Sequence, residues 1–312
     1  MNNLSTIRIH AVRVLLFVLA ASLAGFASVV GSFDRSFQVN GAVDLEVLTR
    51  SGDITVRGGP AGTVTVHGKI HSGSNGWFDW GQRSSNGDVQ ELEKNPPLRQ
   101  NGNSIRIDYV NYRNISIDYE IIVPENTSVR GHSGSGNQRV EGVKGTVDLE
   151  AGSGDMELSR VAGDLRFQTG SGNIRGREVS GPIRLKAGSG DLEIEEVGQG
   201  DVDARTGSGN ITVRGIKGGF RAEAGSGDIR ADGAPANMWS IRTGSGNVDL
   251  RVPSGASFDV DISSNSGTVT VDHPVTTTVQ GRVQERKSVV GRVGSGGPTI
   301  SVHTGSGDIH VD

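Results

Sequence analysis

A short glycine motif returns along this chain at an interval that leaves few folds open. Gly134-Ser135-Gly136-Asn137 is followed by Gly152-Ser153-Gly154-Asp155, and the motif starts again at Gly170, Gly188, Gly207, Gly225 and Gly244. The spacings are 18, 18, 18, 19, 18 and 19 residues, and a last copy stands at Gly305-Ser306-Gly307-Asp308. Self-similarity at a fixed short period is the signature of a repeat architecture, in which each unit rests on its neighbours.

Each interval divides once more. Apolar pairs such as Met156/Leu158, Leu165/Phe167, Ile183/Leu185, Leu192/Ile194, Ile211/Val213 and Trp239/Ile241 begin at steps of nine residues, with two steps of ten. Alternation with period two marks a strand with one buried face. A strand of this length, closed by a glycine-rich turn, cannot bury its two apolar side chains alone, whereas a stack of copies can. The expected fold is all-β: a parallel β-solenoid of nine-residue strand-turn units, at 18–19 residues per coil, with atypical capping strands. The fourth motif residue alternates as Asn137, Asp155, Asn173, Asp191, Asn210, Asp228 and Asn247, and the residue before the motif as Thr169, Ala187, Thr206, Ala224 and Thr243. In an 18-residue coil these positions stack about 4.8 Å apart. Two carboxylates that close repel by roughly 3 kcal/mol at an effective dielectric near 20. Interleaved Asn removes that repulsion. A 36-residue coil, with Asn on one edge and Asp on the other, accounts for the alternation too.

Composition supports stacking over a globular core. Of 312 residues 48 are Gly, aromatics make up 4% and hydrophobic residues 34%, too few large apolar side chains for a thick core. With only 9 Pro and a net charge of −4, the composition does not read as disordered either. There is no basic block to attract nucleic acid. The organisation reads as a leader at 1–27, an N-terminal β section at 33–130 with a loop insertion at 71–100, regular repeats at 131–253 and a C-terminal β section at 254–312. No helical periodicity is visible after the leader.

The leader opens with Arg8, His10 and Arg13, continues as an uncharged run from Val14 to Phe33, and contains Gly25-Phe26-Ala27, which fits a small-x-small cleavage site. The chain is therefore expected to be exported to the periplasm, cell surface or medium, or held by that segment as an uncut anchor, its one expected membrane contact. With no cysteine, neither disulfides nor a thiol nucleophile are available.

The units Ser51-Gly52-Asp53-Ile54, Val123-Pro124, the Gly-Ser-Gly-Asp/Asn series and the closing Val293-Gly294-Ser295-Gly296-Gly297-Pro298 segment together resemble the DUF4097-like family of adhesin-type β-strand repeat domains, over about residues 33–312. The resemblance implies a β-solenoid and an adhesive role in the bacterial envelope, and carries no catalytic residues.

Each candidate chemistry in the sequence has a simpler structural role beside it. Gly- and Asp-rich nonapeptides also build calcium β-rolls, but there a residue separates Gly from Asp, whereas here Asp155 follows Gly154 directly and every second copy carries Asn. The simpler role is a corner hydrogen bond to backbone. Gly-rich phosphate loops need a following helix or Lys, which is missing here. Histidines at 67, 71, 132, 273, 303 and 310 share no spacing. No catalytic, cofactor-binding or metal-binding residue is assigned. The candidate contact residues are Trp77, Phe78 and Trp80, large rings in a polar stretch that either meet a partner or fold back as a cap. Outward positions Arg166, Glu193 and Arg230 differ in sign, so no single-sign patch is expected along the repeat faces.

The reading that follows is a non-enzymatic envelope module binding an unidentified surface, glycan or protein, with no nucleic-acid partner and no cofactor. Its alternatives are a polysaccharide hydrolase or lyase on a β-helix, and a calcium β-roll. Folding is expected to be indifferent to calcium: the β-sheet circular dichroism should survive a chelator, and a signal that collapses and returns with Ca²⁺ would contradict this.

Overall fold

The computed structural model describes residues 28–73, 86–112, 114–196, 198, 200–276 and 287–312. The leader at 1–27 and the rings at 77, 78 and 80 lie outside these. Strands preceding each motif and strands following it segregate into two sheets. Sheet I has 13 strands and contains those that follow the motif; sheet II has 14 and contains those that precede it. Val147–Ser153 pairs in parallel with Thr127–Ser135 on one side and Leu165–Ser171 on the other, with Val147 opposite Leu165. Met156–Ala162 pairs with Ile174–Ser180 in the same way, with Met156 opposite Ile174. One coil is thus one strand from each sheet, 18 or 19 residues, and the 36-residue alternative is excluded.

The alternating pairs face inward as their period requires. Leu165, Ile183 and Ile211 are each at most 1% exposed, as is Trp239, the largest core side chain. Trp239 packs edge-on against Phe220 with ring centroids 5.8 Å apart, and its indole N–H donates to the Gly218 carbonyl at 3.1 Å. A third inward row escapes the pair pattern. Arg160 and Glu178 adopt φ of 53° and 52°, and this left-handed step turns Val161 and Val179 into the core. Such a bulge costs free energy in a residue with a Cβ; here it is offset by burying one more valine in each of these two coils.

Corners explain the motif. Gly154 has φ 147°, and a Cβ there would lie 2.1 Å from the Gly136 carbonyl of the coil before. Backbone stacks directly on backbone at this position, so only glycine fits. The Asx residue that follows joins coil to coil. The Asp155 amide donates to Asn137 Oδ1 at 3.0 Å, the Asn173 amide to Asp155 Oδ1 at 2.8 Å, and the Asp191 amide to Asn173 Oδ1 at 2.9 Å. The same link runs on through Asn210, Asp228 and Asn247. In two copies the amide group joins in: Asn173 Nδ2 donates to Asp155 Oδ1, and Asn210 Nδ2 to Asp191 Oδ1, each at 3.3 Å.

Both ends are interleaved. The early strands Val43–Ser51 and Ile54–Gly59 do not start the stack. Ser104–Ile107 and Ile115–Pro124 lie outside them, and Thr127–Ser135 and Gln138–Glu141 inside. At the other end, the late strands Thr299–Ser306 and Ile309–Val311 slot between the coil at 239–251 and the coil at 258–271. Asx alternation follows this spatial order. The Asp308 amide donates to Asn247 Oδ1 at 2.9 Å, and Asp308 Oδ1 accepts the Thr268 amide at 2.7 Å. The outermost strands join by antiparallel pairing: Ser28–Gln38 and Thr63–Ser72 on sheet I, Leu98–Asn101 and Ser288–Val293 on sheet II. Antiparallel pairs suit an end because they close with short connections.

The stretch at 71–100, read above as an irregular loop, is only partly so. The strand Thr63–Ser72 runs into it, and Asn86–Lys94 is an α-helix followed by the strand Leu98–Asn101. Val89 and Leu92 are the buried side of the helix, at 9% and 4% exposure. Asp88 sits in the first turn and Lys94 in the last, the favourable ends of the helix dipole, and Pro96-Pro97 stops it. Two apolar residues in nine are too few to show a helical period. Arg35 fastens the helix end by donating to the Glu93 and Lys94 carbonyls at 2.9 and 2.8 Å.

The coil length sets the outcome of Asn173→Asp. Three carboxylates, at 155, 173 and 191, would then stack in successive coils. Stability should fall by roughly 1 kcal/mol at low salt and recover as salt rises. Thermal melting at low and high salt reads this, and a salt-independent melting difference would contradict it.

Candidate interaction surface

Inward locking of every second side chain leaves two flat polar faces. Sheet I alternates in sign from coil to coil. Arg139, Glu157, Arg175 and Glu193 are successive neighbours in one row. Arg139 pairs with Glu157 and Arg160 with Glu141, while Arg230 reaches Asp228 at 2.9 Å and Asp249 at 3.5 Å. Opposite charges directly across a ladder stabilise a sheet by a few tenths of a kcal/mol per pair, to about 1 kcal/mol.

Sheet II follows the same rule near the N-terminal end. Arg106 pairs with Glu46, Arg130 with Asp44 at 3.1 Å, and His132 with Glu150 at 3.2 Å. The rule then breaks. Arg166 stands directly beside Arg184, and Lys186 directly beside Arg205. Arg166 is not equivalent to Glu193 and Arg230, because Arg166 lies on sheet II and the other two on sheet I. A step of nine changes face; a step of 18 stays on it. Reading every second unit brings Arg166 and Arg184 together from sequence alone. The expectation of no single-sign patch is therefore corrected for sheet II.

Three glutamates are held as anions by a hydrogen-bonded cation. Lys69 hydrogen-bonds Glu120 and keeps it below the usual carboxylate range, and Arg221 does the same for Glu223. Lys144 lowers Glu125 likewise. At the N-terminal end the Asx ladder places two aspartates in succession, with the Asp53 amide donating to Asp118 Oδ1 at 2.8 Å. His71 Nε2 lies 2.8 Å from the other Asp118 oxygen. Each corner Asp thus spends an oxygen on the neighbouring coil's amide. The backbone bond expected at the corner is present, but it runs between coils instead of within a turn. Among the described residues no group of three or more His, Cys, Asp or Glu is arranged to hold a metal ion.

Trp77, Phe78 and Trp80 lie outside the described residues, so the structure places none of them at a site. Among the described residues the exposed rings are Tyr109 and Tyr112, at 43% and 37% exposure. Tyr109 borders a shallow depression of sheet II together with Arg50, His132, Glu150 and Gln168. No described helix is long and apolar enough to cross a membrane.

A family model described as Toastrack DUF4097 matches residues 90–312. No curated protein matches the chain. Among solved structures, the chain is similar to a "putative adhesin" from Bacteroides fragilis, at 16% identity and TM-score 0.45, covering 71% of this chain and 97% of that one. It is also similar to a "putative cell adhesion protein" from Clostridium sporogenes, at 10% identity and TM-score 0.21, covering 90% of this chain and 97% of that one.

Proposed function

This chain belongs to the Toastrack DUF4097 family, and we propose that it serves as an exported, adhesin-like binding module of the bacterial envelope that holds a partner without turning it over. The observation that carries this reading is the pair of flat, polar, coil-periodic faces on strands whose other side is locked into a continuous core. A surface of this kind presents the same chemistry again and again along one axis, which suits many weak contacts with an extended partner. Glycoside hydrolysis would need a carboxylic acid held protonated beside a carboxylate. Glu120, Glu125 and Glu223 are shifted the other way. Export rests on the basic and apolar leader with its small-x-small site at 25–27.

Cell fractionation and a binding assay test the two halves. The chain should be recovered outside the cytoplasm, bind isolated envelope material saturably, and leave acidic and neutral polysaccharides at their original length after long incubation. Retention in the cytoplasm, or depolymerisation of any of those polymers, would overturn the reading.

A further inference from the structure

The break in the charge pattern of sheet II has a local cost that the neighbouring acids, Asp148 beside Arg166 and Asp203 beside Arg184, offset only in part. Like charges directly opposite each other destabilise a sheet, yet Arg166–Arg184 and Lys186–Arg205 are two such pairs side by side. All four side chains are exposed. Arg205 leans on Asp203 at 2.8 Å and reaches Glu223 at 3.6 Å, while Arg166 only reaches Asp148 at 3.9 Å. Arg184 and Lys186 have no ion pair or hydrogen bond among the described residues. Asp203 stands in register beside Arg184 but makes its ion pair with Arg205, and Asp201 accepts the Gly219 amide at 2.7 Å. A chain of net charge −4 gathers these cations against its overall composition.

Beside them runs a shelf. Gly170, Gly188 and Gly207 follow the cationic row and are exposed, and their flatness is enforced, since a Cβ on Gly188 would lie 2.5 Å from the Gly170 carbonyl. Past the glycines the exposed serines Ser171, Ser189 and Ser208 stack in register. Along the stack axis a ligand therefore meets cations on one side, bare backbone beneath and hydroxyls on the other, repeated once per coil.

We propose that this stretch of sheet II, centred on Arg184 and Lys186, is a docking site for a linear acidic polysaccharide lying along the stack axis. Cations take its carboxylates, the glycine floor admits the width of a sugar ring, and the serine row exchanges hydrogen bonds with its hydroxyls. Single-stranded nucleic acid, the other linear polyanion, is bound through aromatic stacking platforms, and the outward rows of these coils hold no aromatic residue. The proposal rests on the binding role argued above and names its ligand class and face.

The test uses the purified protein and polygalacturonate chains of defined length, with neutral dextran and poly(dT) as comparison probes. The parent should bind polygalacturonate in a salt-sensitive manner and leave dextran unbound. In Arg184→Gln/Lys186→Gln the affinity should fall by roughly tenfold at low salt. The variant's melting temperature should equal or exceed the parent's, since a repulsion has been removed. Arg177→Gln/Arg214→Gln, on sheet I, should bind as the parent does. Unchanged affinity in the sheet II variant, an equal loss in the sheet I variant, or a parental preference for poly(dT) would overturn the site. If the parent binds envelope material while the sheet II variant keeps full polygalacturonate affinity, this site falls and the adhesive role stands. If the parent binds neither, both fall.

Discussion

A backbone amide donating to the side-chain oxygen of the coil before it is the contact on which the rest of this molecule depends. From Asp118 through Asp53, Asn137, Asp155 and onward to Asp308 and Thr268, each corner is tied to the next by the same bond, at 2.7 to 3.0 Å. That bond fixes the register of sheet I against sheet II at every turn. It requires coils close enough for glycine carbonyls to meet glycine Cα atoms, and that closeness excludes any side chain at Gly154 and its equivalents. It also forces a choice at the acceptor: two carboxylates in succession repel, so Asn and Asp alternate. Where they do not alternate, at Asp118 and Asp53, His71 stands beside the extra charge.

The ladder also shows how the interleaved ends are accommodated. A one-dimensional stack is weakest at its terminal repeats, because they have a neighbour on one side only. Here the coil at 299–311 has neighbours on both sides. Removing it means breaking two ladders instead of one. Asp308 keeps the alternation because Asn247 is its neighbour in space, 61 residues earlier in sequence.

Legibility in the sequence follows interaction range. The inward pairs, the corner glycines and the Asx alternation are set by contacts within a coil or between consecutive coils, so they appear as short periods, and Leu165, Ile183 and Ile211 lie where those periods put them. Interleaving left no such trace, since it joins segments 40 residues apart or more through the same local motif. The bulge at Arg160 and Glu178 was hidden because the residues that adopt it are not glycines. The helix at 86–94 offers only Val89 and Leu92 as apolar marks. The cationic stretch was hidden by arithmetic alone: a nine-residue step alternates between faces, and two faces read as one average to neutrality. Once coils are read at 18, the outward rows separate, and sheet I shows paired charges where sheet II shows Arg184 and Lys186 unpaired.

Site-resolved amide hydrogen exchange tests the corner ladder most directly. The amides of Asp155, Asn173, Asp191 and Asn210 sit in turns that, in an isolated hairpin, would exchange with solvent freely. Bonded to the coil before, they should be protected to the same degree as core-strand amides such as those of Leu165 and Ile183, and should open only with the whole stack. Fast exchange at these four corners, with the strands still protected, would mean that the side-chain ladder does not hold the coils together.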